Sequence, residues 1–267
     1  MSYVRSENVE PGIRLLTLDK PDRLNAIDFD GVRELHGALD AIAADRTCRV
    51  VILTGAGRGF CAGLDLKAFG GFGDSKSDRV TAGMQFQEMI AGLIPKMRSL
   101  PQPIIAAVNG AATGGGLAFA LGSDVRIAAR SATFAVSFIR VGLSGCDIGT
   151  SYLLPRLVGA SHAFELMLTG RKFDAGEAER IGLVLRVVDD TALMESALET
   201  ARLIRANAPF GVWMTKEVMW ANLETPGLAA AIDRENRTQI LAQHSGDMAE
   251  AVAAFLAKRP ADFSGRS

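Results

Sequence analysis

The groups best placed to do chemistry in this chain include backbone amides as well as side chains. Gly114, Gly115 and Gly116 follow a buried-strand pattern at 104–108 and open a short helical pattern at about 115–121. Three glycines let the backbone approach a ligand with no Cβ in the way, and a helix N-terminus adds free N–H groups and a favourable dipole. That combination suits an oxyanion. The plainer alternative is a tight turn or close helix–sheet packing, which glycine triplets also mark. A second candidate is Asp147, set between Cys146 and Ile148 with Leu143 and Phe138 nearby. Such apolar neighbours predict a raised pKa and hence a better general base. Capping the helix that starts near 149 is its alternative role, since Asp is a preferred N-cap.

Several familiar chemistries fail on detail. Gly55-Ala56-Gly57-Arg58-Gly59 follows a strand pattern, but a dinucleotide loop needs glycine at 60 and Phe60 stands there. Gly142-Leu143-Ser144-Gly145-Cys146 is not a nucleophile elbow, because its fifth position is cysteine. Cys61 and Cys146 have no base beside them in the sequence, and His36, His162 and His244 are too scattered for a metal cluster.

The elements that must position these groups begin with strand patterns at 13–18 and 49–54 around a helical pattern at 28–44. A long helix over about 78–99, the strand at 104–108, the short helix and a strand at 124–129 follow. This alternation predicts an α/β fold with a mainly parallel sheet. From about residue 149 the pattern is almost wholly helical, with one strand at 183–188; the helices run over 149–158, 160–168, 174–180, 190–206, 211–223, 227–243 and 247–257. The apolar faces of the last three are too large for solvent, which predicts a partner subunit or a fold-back over the site. Residues 70–78, rich in Gly and Ser, read as a mobile loop able to act as a lid.

Composition narrows the partners. The chain has 267 residues, 48% hydrophobic and 22% charged, close to the average soluble globular protein. A net charge of −1 provides no basic field for nucleic acid or an anionic membrane, so any anion site must be local. No apolar run approaches the ~20 residues of a membrane span, and no signal-peptide pattern opens the chain; the expected location is cytoplasmic. Three widely spaced cysteines fit reduced thiols.

Four segments together resemble the crotonase, or enoyl-CoA hydratase/isomerase, superfamily: RLNAID (23–28), GAGRGFCAGLDLK (55–67), PIIAAVNGAATGGGLAFALGSDVRIA (103–128) and VGLSGCDIGTSYLLPRLVG (141–159). The resemblance implies a spiral of β–β–α units over 1–200 and a helical C-terminal trimerisation region over 201–267. It also implies an acyl-CoA thioester whose enolate oxygen is held by two backbone N–H groups, here those of Leu64 and Gly115. Arg23, Arg58, Lys67 and Lys258 match positions that reach the CoA phosphates, and Ala26, Ala62 and Phe138 match substrate-contacting positions. Coenzyme A would enter only as part of the substrate; no metal or redox cofactor is implied. The assembly implied is a homotrimer or homohexamer.

The sequence departs from a standard hydratase of that family. The two glutamates usual there fall at Ala118 and Phe138, neither of which can transfer a proton. Asp147 resembles the aspartate of dienoyl-CoA isomerases, with a one-residue gap in the loop, so double-bond isomerisation or hydration with Asp147 as acid/base is expected. Glu88, on the 78–99 helix, is a possible second acid. Hydrolysis of an acyl-CoA or β-diketone, and a non-catalytic acyl-CoA-binding paralogue, are the alternatives.

Overall fold

The computed structural model describes residues 2–65 and 76–263, with side chains from residue 80 in the second span. The expected lid at 70–78 therefore lies outside the described residues, except that the backbone of 76–78 is helical. Lys67 also lies outside them.

In chain order the strands are β1 Val4–Glu10, β2 Ile13–Leu18, β3 Val50–Gly55, β4 Gly59–Cys61, β5 Ile104–Val108, β6 Ala111–Thr113, β7 Val125–Ala129, β8 Thr133–Ala135, β9 Phe173–Asp174 and β10 Arg186–Val188. The helices are α1 Phe29–Ala44, α2 Lys76–Ala91, α3 Leu93–Ser99, α4 Gly115–Gly122, α5 Thr150–Val158, α6 Ala160–Thr169, α7 Ala175–Arg180, α8 Leu193–Arg205, α9 Pro209–Asn222, α10 Leu228–Gln243 and α11 Asp247–Leu256. A six-stranded sheet has the order β1-β2-β3-β5-β7-β10, and a four-stranded sheet has the order β4-β6-β8-β9. Among the described residues, only β1–β2 and β8–β9 are antiparallel. The chain alternates between the sheets: β3 then β4, β5 then β6, β7 then β8. Helices α2 and α3 follow the first pair and α4 the second, which makes the spiral of β–β–α units.

The larger sheet takes strands that are apolar on both faces. Every residue of β3 and β5 is buried, as expected where a parallel sheet is covered on both sides. Leu193, Ala197 and Ala201 of α8 pack on one face of that sheet, and a larger cluster including Leu35, Leu39, Phe119 and Phe134 fills the other side. Helix α1 contributes Val32, Leu35, Leu39 and Ile42 at helical spacing, and the Asp28 side chain caps it by accepting the Gly31 N–H at 2.8 Å. The expected 78–99 helix is two helices, because Pro95 has no N–H to give the Ala91 carbonyl four residues back and its ring crowds that turn.

Helix α9 is fastened to the sheet by a buried polar knot. Lys216 Nζ lies 2.9 Å from Asp124 Oδ2 and donates to the carbonyls of Met97 and Gln102, each at 2.9 Å. Asp124 also accepts from Trp220 Nε1 at 2.8 Å and Ile104 N at 2.7 Å. Burial pulls the Lys216 pKa below its usual value, with Asp124 opposing the shift. Beyond α9 the helices expose large apolar side chains: Leu228, Phe255 and Leu256 are 78, 82 and 75% exposed.

Candidate functional site

Two segments that leave backbone donors free meet at the top of the smaller sheet. The first runs on from β4. Ile27 and Leu64 form an isolated parallel bridge in which Ile27 N donates to Gly63 O at 2.7 Å and Asp65 N to Ile27 O at 2.9 Å. Both bonds fall on the residues flanking Leu64, because a parallel ladder engages alternate residues of each strand. The Leu64 N–H thus has no acceptor among the described residues. Gly63 permits the turn with φ +89°, and a β-carbon there would lie 2.7 Å from Thr113 O and 3.2 Å from Gly115 N.

The second segment is the glycine triplet. Gly114 takes φ +53° and ψ −118° as the residue before α4, its N–H donating to Ala135 O at 3.0 Å. Gly115 is the first helical residue, so its N–H has no partner within the helix, and none is found elsewhere among the described residues. The three glycines are not equivalent. A β-carbon at 116 would sit 1.9 Å from the Cys61 carbonyl oxygen, whereas one at 115 would meet only Ile148 Cδ1 at 3.6 Å and Gly63 Cα at 3.7 Å. Packing accounts for Gly116 and backbone conformation for Gly114; neither accounts for Gly115.

Two asparagines hold these loops. Asn25, fully buried with φ +57°, donates to Gly59 O at 2.8 Å and Ala56 O at 3.0 Å and accepts from Lys20 N at 2.9 Å. Asn109 donates to Gly55 O and Gly57 O, each at 2.9 Å, and accepts from Gly55 N at 3.1 Å. Sequence reasoning misses both roles: Asn25 lies inside RLNAID and Asn109 inside the 103–128 segment, with nothing in either to show what it bonds. The Cys61 thiol is fully buried and pushed up to about 12 by desolvation, so it is a packing residue and no nucleophile.

The remaining walls come from the turn between β8 and α5. Phe138 is 8% exposed, and its Cε1 would lie 3.4 Å from a β-carbon on Gly114. Ile148 brings its Cδ1 to Gly115 while holding φ +46°, a strained conformation for a β-branched residue. Asp147, half-buried, does not cap α5: the N-cap is Gly149, with no side-chain bond. Instead its Oδ1 accepts from Ile148 N at 2.8 Å and from Gln87 Nε2 of α2. Glu88 is exposed on the neighbouring side of α2; the polar residue that reaches the loop is Gln87, which sequence reasoning passed over. Ala118 is fully buried within α4.

The basic residues are spread out. Arg23 is exposed and paired with the buried Asp65, and Arg58 is exposed on the turn between β3 and β4. Ala26 and Ala62 are half-buried between these loops, with Ala62 N donating to Leu24 O at 2.9 Å. Lys258, exposed with φ +52°, follows α11, and no hydrogen bond or ion pair among the described residues joins it to the others.

Comparison with known proteins gives a consistent result. A family profile for enoyl-CoA hydratase/isomerase matches residues 8–266. A probable enoyl-CoA hydratase of Mycobacterium tuberculosis is 41% identical over 266 residues, covering 99% of this chain and 93% of that protein. The 1,2-epoxyphenylacetyl-CoA isomerase of Escherichia coli is 39% identical over 266 residues, with both chains fully covered. A crystal structure of an enoyl-CoA hydratase from Bacillus anthracis superposes with a TM-score of 0.92 at 33% identity, covering 98% of this chain and 99% of that one.

Proposed function

The chain belongs to the enoyl-CoA hydratase/isomerase family, and on that premise we propose that it isomerises the double bond of an enoyl-CoA thioester with Asp147 as the only proton carrier. The observation that carries this reading is the pair of unbonded N–H groups, Leu64 and Gly115, on adjoining segments. They would receive the thioester oxygen as it gains charge, and donors preorganised in this way are worth about 2.7–4 kcal/mol each in related acyl chemistry. Asp147 takes a proton from a carbon next to the double bond. The C–H electron pair then becomes a new carbon–carbon double bond, and the thioester π electrons move onto the oxygen. Return of the same proton to the far carbon of the dienolate restores the thioester with its double bond moved by one position. Atoms and charge balance with one carboxylate.

Hydration would need a group at 118 or 138 to activate water in the family's usual way, and alanine and phenylalanine supply none. Arg23, Arg58, Lys67 and Lys258 are assigned to the CoA phosphates as separate charge-assisted contacts. The exposed apolar faces of α10 and α11 fit burial between subunits of a trimer or a dimer of trimers.

The test is turnover of 2-enoyl-, 3-enoyl- and 2,4-dienoyl-CoA thioesters by the wild type and Asp147→Asn, followed by mass and ultraviolet absorbance. An isomerised product of unchanged mass, lost in Asp147→Asn while thioester binding persists, is the expected result. A product heavier by one water makes the enzyme a hydratase, free CoA makes it a hydrolase, and binding without turnover makes it a non-catalytic paralogue; each overturns the proposal.

A further inference from the structure

We propose that Gln87 is a positioning residue that fixes the Asp147 carboxylate so that one oxygen, Oδ2, does the proton transfer. The inference rests on the reading of Asp147 as proton carrier and adds the device that aims it. Both donors to this carboxylate converge on a single atom: Gln87 Nε2 and the Ile148 N–H both meet Oδ1. Oδ2 has no partner among the described residues. Two donors arriving from different elements define the plane of a carboxylate, whereas one leaves it free to turn about its own side-chain bonds. The Ile148 N–H comes from the next residue and moves with the loop; Gln87 comes from α2 and supplies the outside reference.

That reference is firmly seated. One residue before Gln87, Phe86 is 2% exposed and stacks on Phe29 of α1 with ring centroids 5.4 Å apart. Three residues after it, Ile90 is 2% exposed, and the Met89 carbonyl accepts from His36 Nε2 of α1 at 2.8 Å. Residues 86 and 90 are one turn apart and face the core, which turns 87 toward the loop that carries Asp147. The loop end is constrained as well: Ile148, with φ +46°, packs its buried side chain at Gly115. Asp147 is thus held between the oxyanion segment on one side and α2 on the other. An amide suits the task because it donates without carrying charge or exchanging a proton with the substrate. Lysine would neutralise the carboxylate, and glutamate would repel it.

The test uses the full chain and the enoyl-CoA thioester that the wild type isomerises fastest. Gln87→Leu removes the donor at an exposed position, so the fold is expected to persist, checked by circular dichroism and the melting temperature. Loss of one hydrogen bond to a charged group predicts a fall in kcat of about tenfold, with KM within about twofold because the thioester anchors are untouched. Gln87→Glu, which keeps the length and loses the donor, is expected to fall at least as far. The decisive readout is the double variant Gln87→Leu/Asp147→Asn: a residue that acts through Asp147 has nothing left to act on, so its rate matches Asp147→Asn alone. An unchanged kcat in Gln87→Leu, or a further tenfold loss in the double variant, overturns the positioning role while leaving Asp147 in place. A fully active Asp147→Asn, or a wild type inert toward every thioester of the panel, overturns both.

Discussion

Neighbouring glycines offer a sharp test of which part of the triplet serves the fold and which serves a ligand. At 116 a methyl would meet the Cys61 carbonyl oxygen at 1.9 Å and its carbon at 2.7 Å. Both atoms are backbone of β4 and cannot rotate away, so β4 and α4 must separate by more than an ångström. Overpacking of this kind costs about 1–3 kcal/mol and occasionally more. At 115 the same methyl meets ordinary van der Waals contacts at 3.6 and 3.7 Å. Replacing a helical glycine there should stabilise the chain by about 0.4–1 kcal/mol, because the unfolded chain loses freedom. The two identical substitutions should differ by about 1.4–4 kcal/mol, or about 3–16 °C in melting temperature at the usual 2–4 °C per kcal/mol for chains of this size. Differential scanning calorimetry of Gly115→Ala, Gly116→Ala and wild type measures the gap. If position 115 is bare for a substrate, Gly115→Ala also loses at least about tenfold in kcat/KM while melting no lower than wild type. Equal melting temperatures, or a fully active Gly115→Ala, would sink the reasoning.

Other expectations follow from features away from the oxyanion segment. Lys216→Met removes the cation from the half-buried Asp124 and leaves the Met97 and Gln102 carbonyls without their donor, which should cost about 3–5 kcal/mol, read as a melting temperature lower by about 6–20 °C; a drop under about 2 °C would show that the knot is dispensable. Asn25→Ala removes the side-chain bonds to Lys20 N, Ala56 O and Gly59 O at a residue with φ +57° and should cost about 2–4 kcal/mol, with urea unfolding as the measure and an unchanged midpoint as the contrary result. The Glu165 and Glu177 pKa values are lowered first by hydrogen bonding to Arg171. Their contribution is therefore present above the unfolded carboxylate range and is lost as pH falls below it through the lowered folded values. Arg171→Met should flatten that part of the acid-unfolding profile, and an unaltered profile would count against the assignment.

The legible parts of the fold were those whose hydrophobic pattern runs long enough to repeat. Strand β2 and helix α1 read almost to the residue, since IRLLTL is a continuous apolar run and Val32, Leu35, Leu39 and Ile42 keep helical spacing. The smaller sheet was not legible from pattern, because β4, β6, β8 and β9 are two or three residues long and no period fits in that span. At the site, the glycine triplet and Asp147 were readable by residue type. Gln87 was not: no pattern in the sequence separates it from its charged neighbour Glu88, and only the burial of Phe86 and Ile90 fixes which of the two turns toward the loop. The same holds for Asn25, whose bonds join segments distant in sequence.

The pairing of Asp124 with Lys216 bears on how the chain is completed during synthesis. Asp124 immediately precedes β7, which lies between β5 and β10 in the larger sheet, and its carboxylate accepts from Ile104 N of the neighbouring β5. Its cationic partner and the Trp220 donor belong to α9, which is synthesised after every strand described. Seating of α9 both covers this part of the sheet and neutralises the charge, so the helices from α9 onward act as a latch on the spiral.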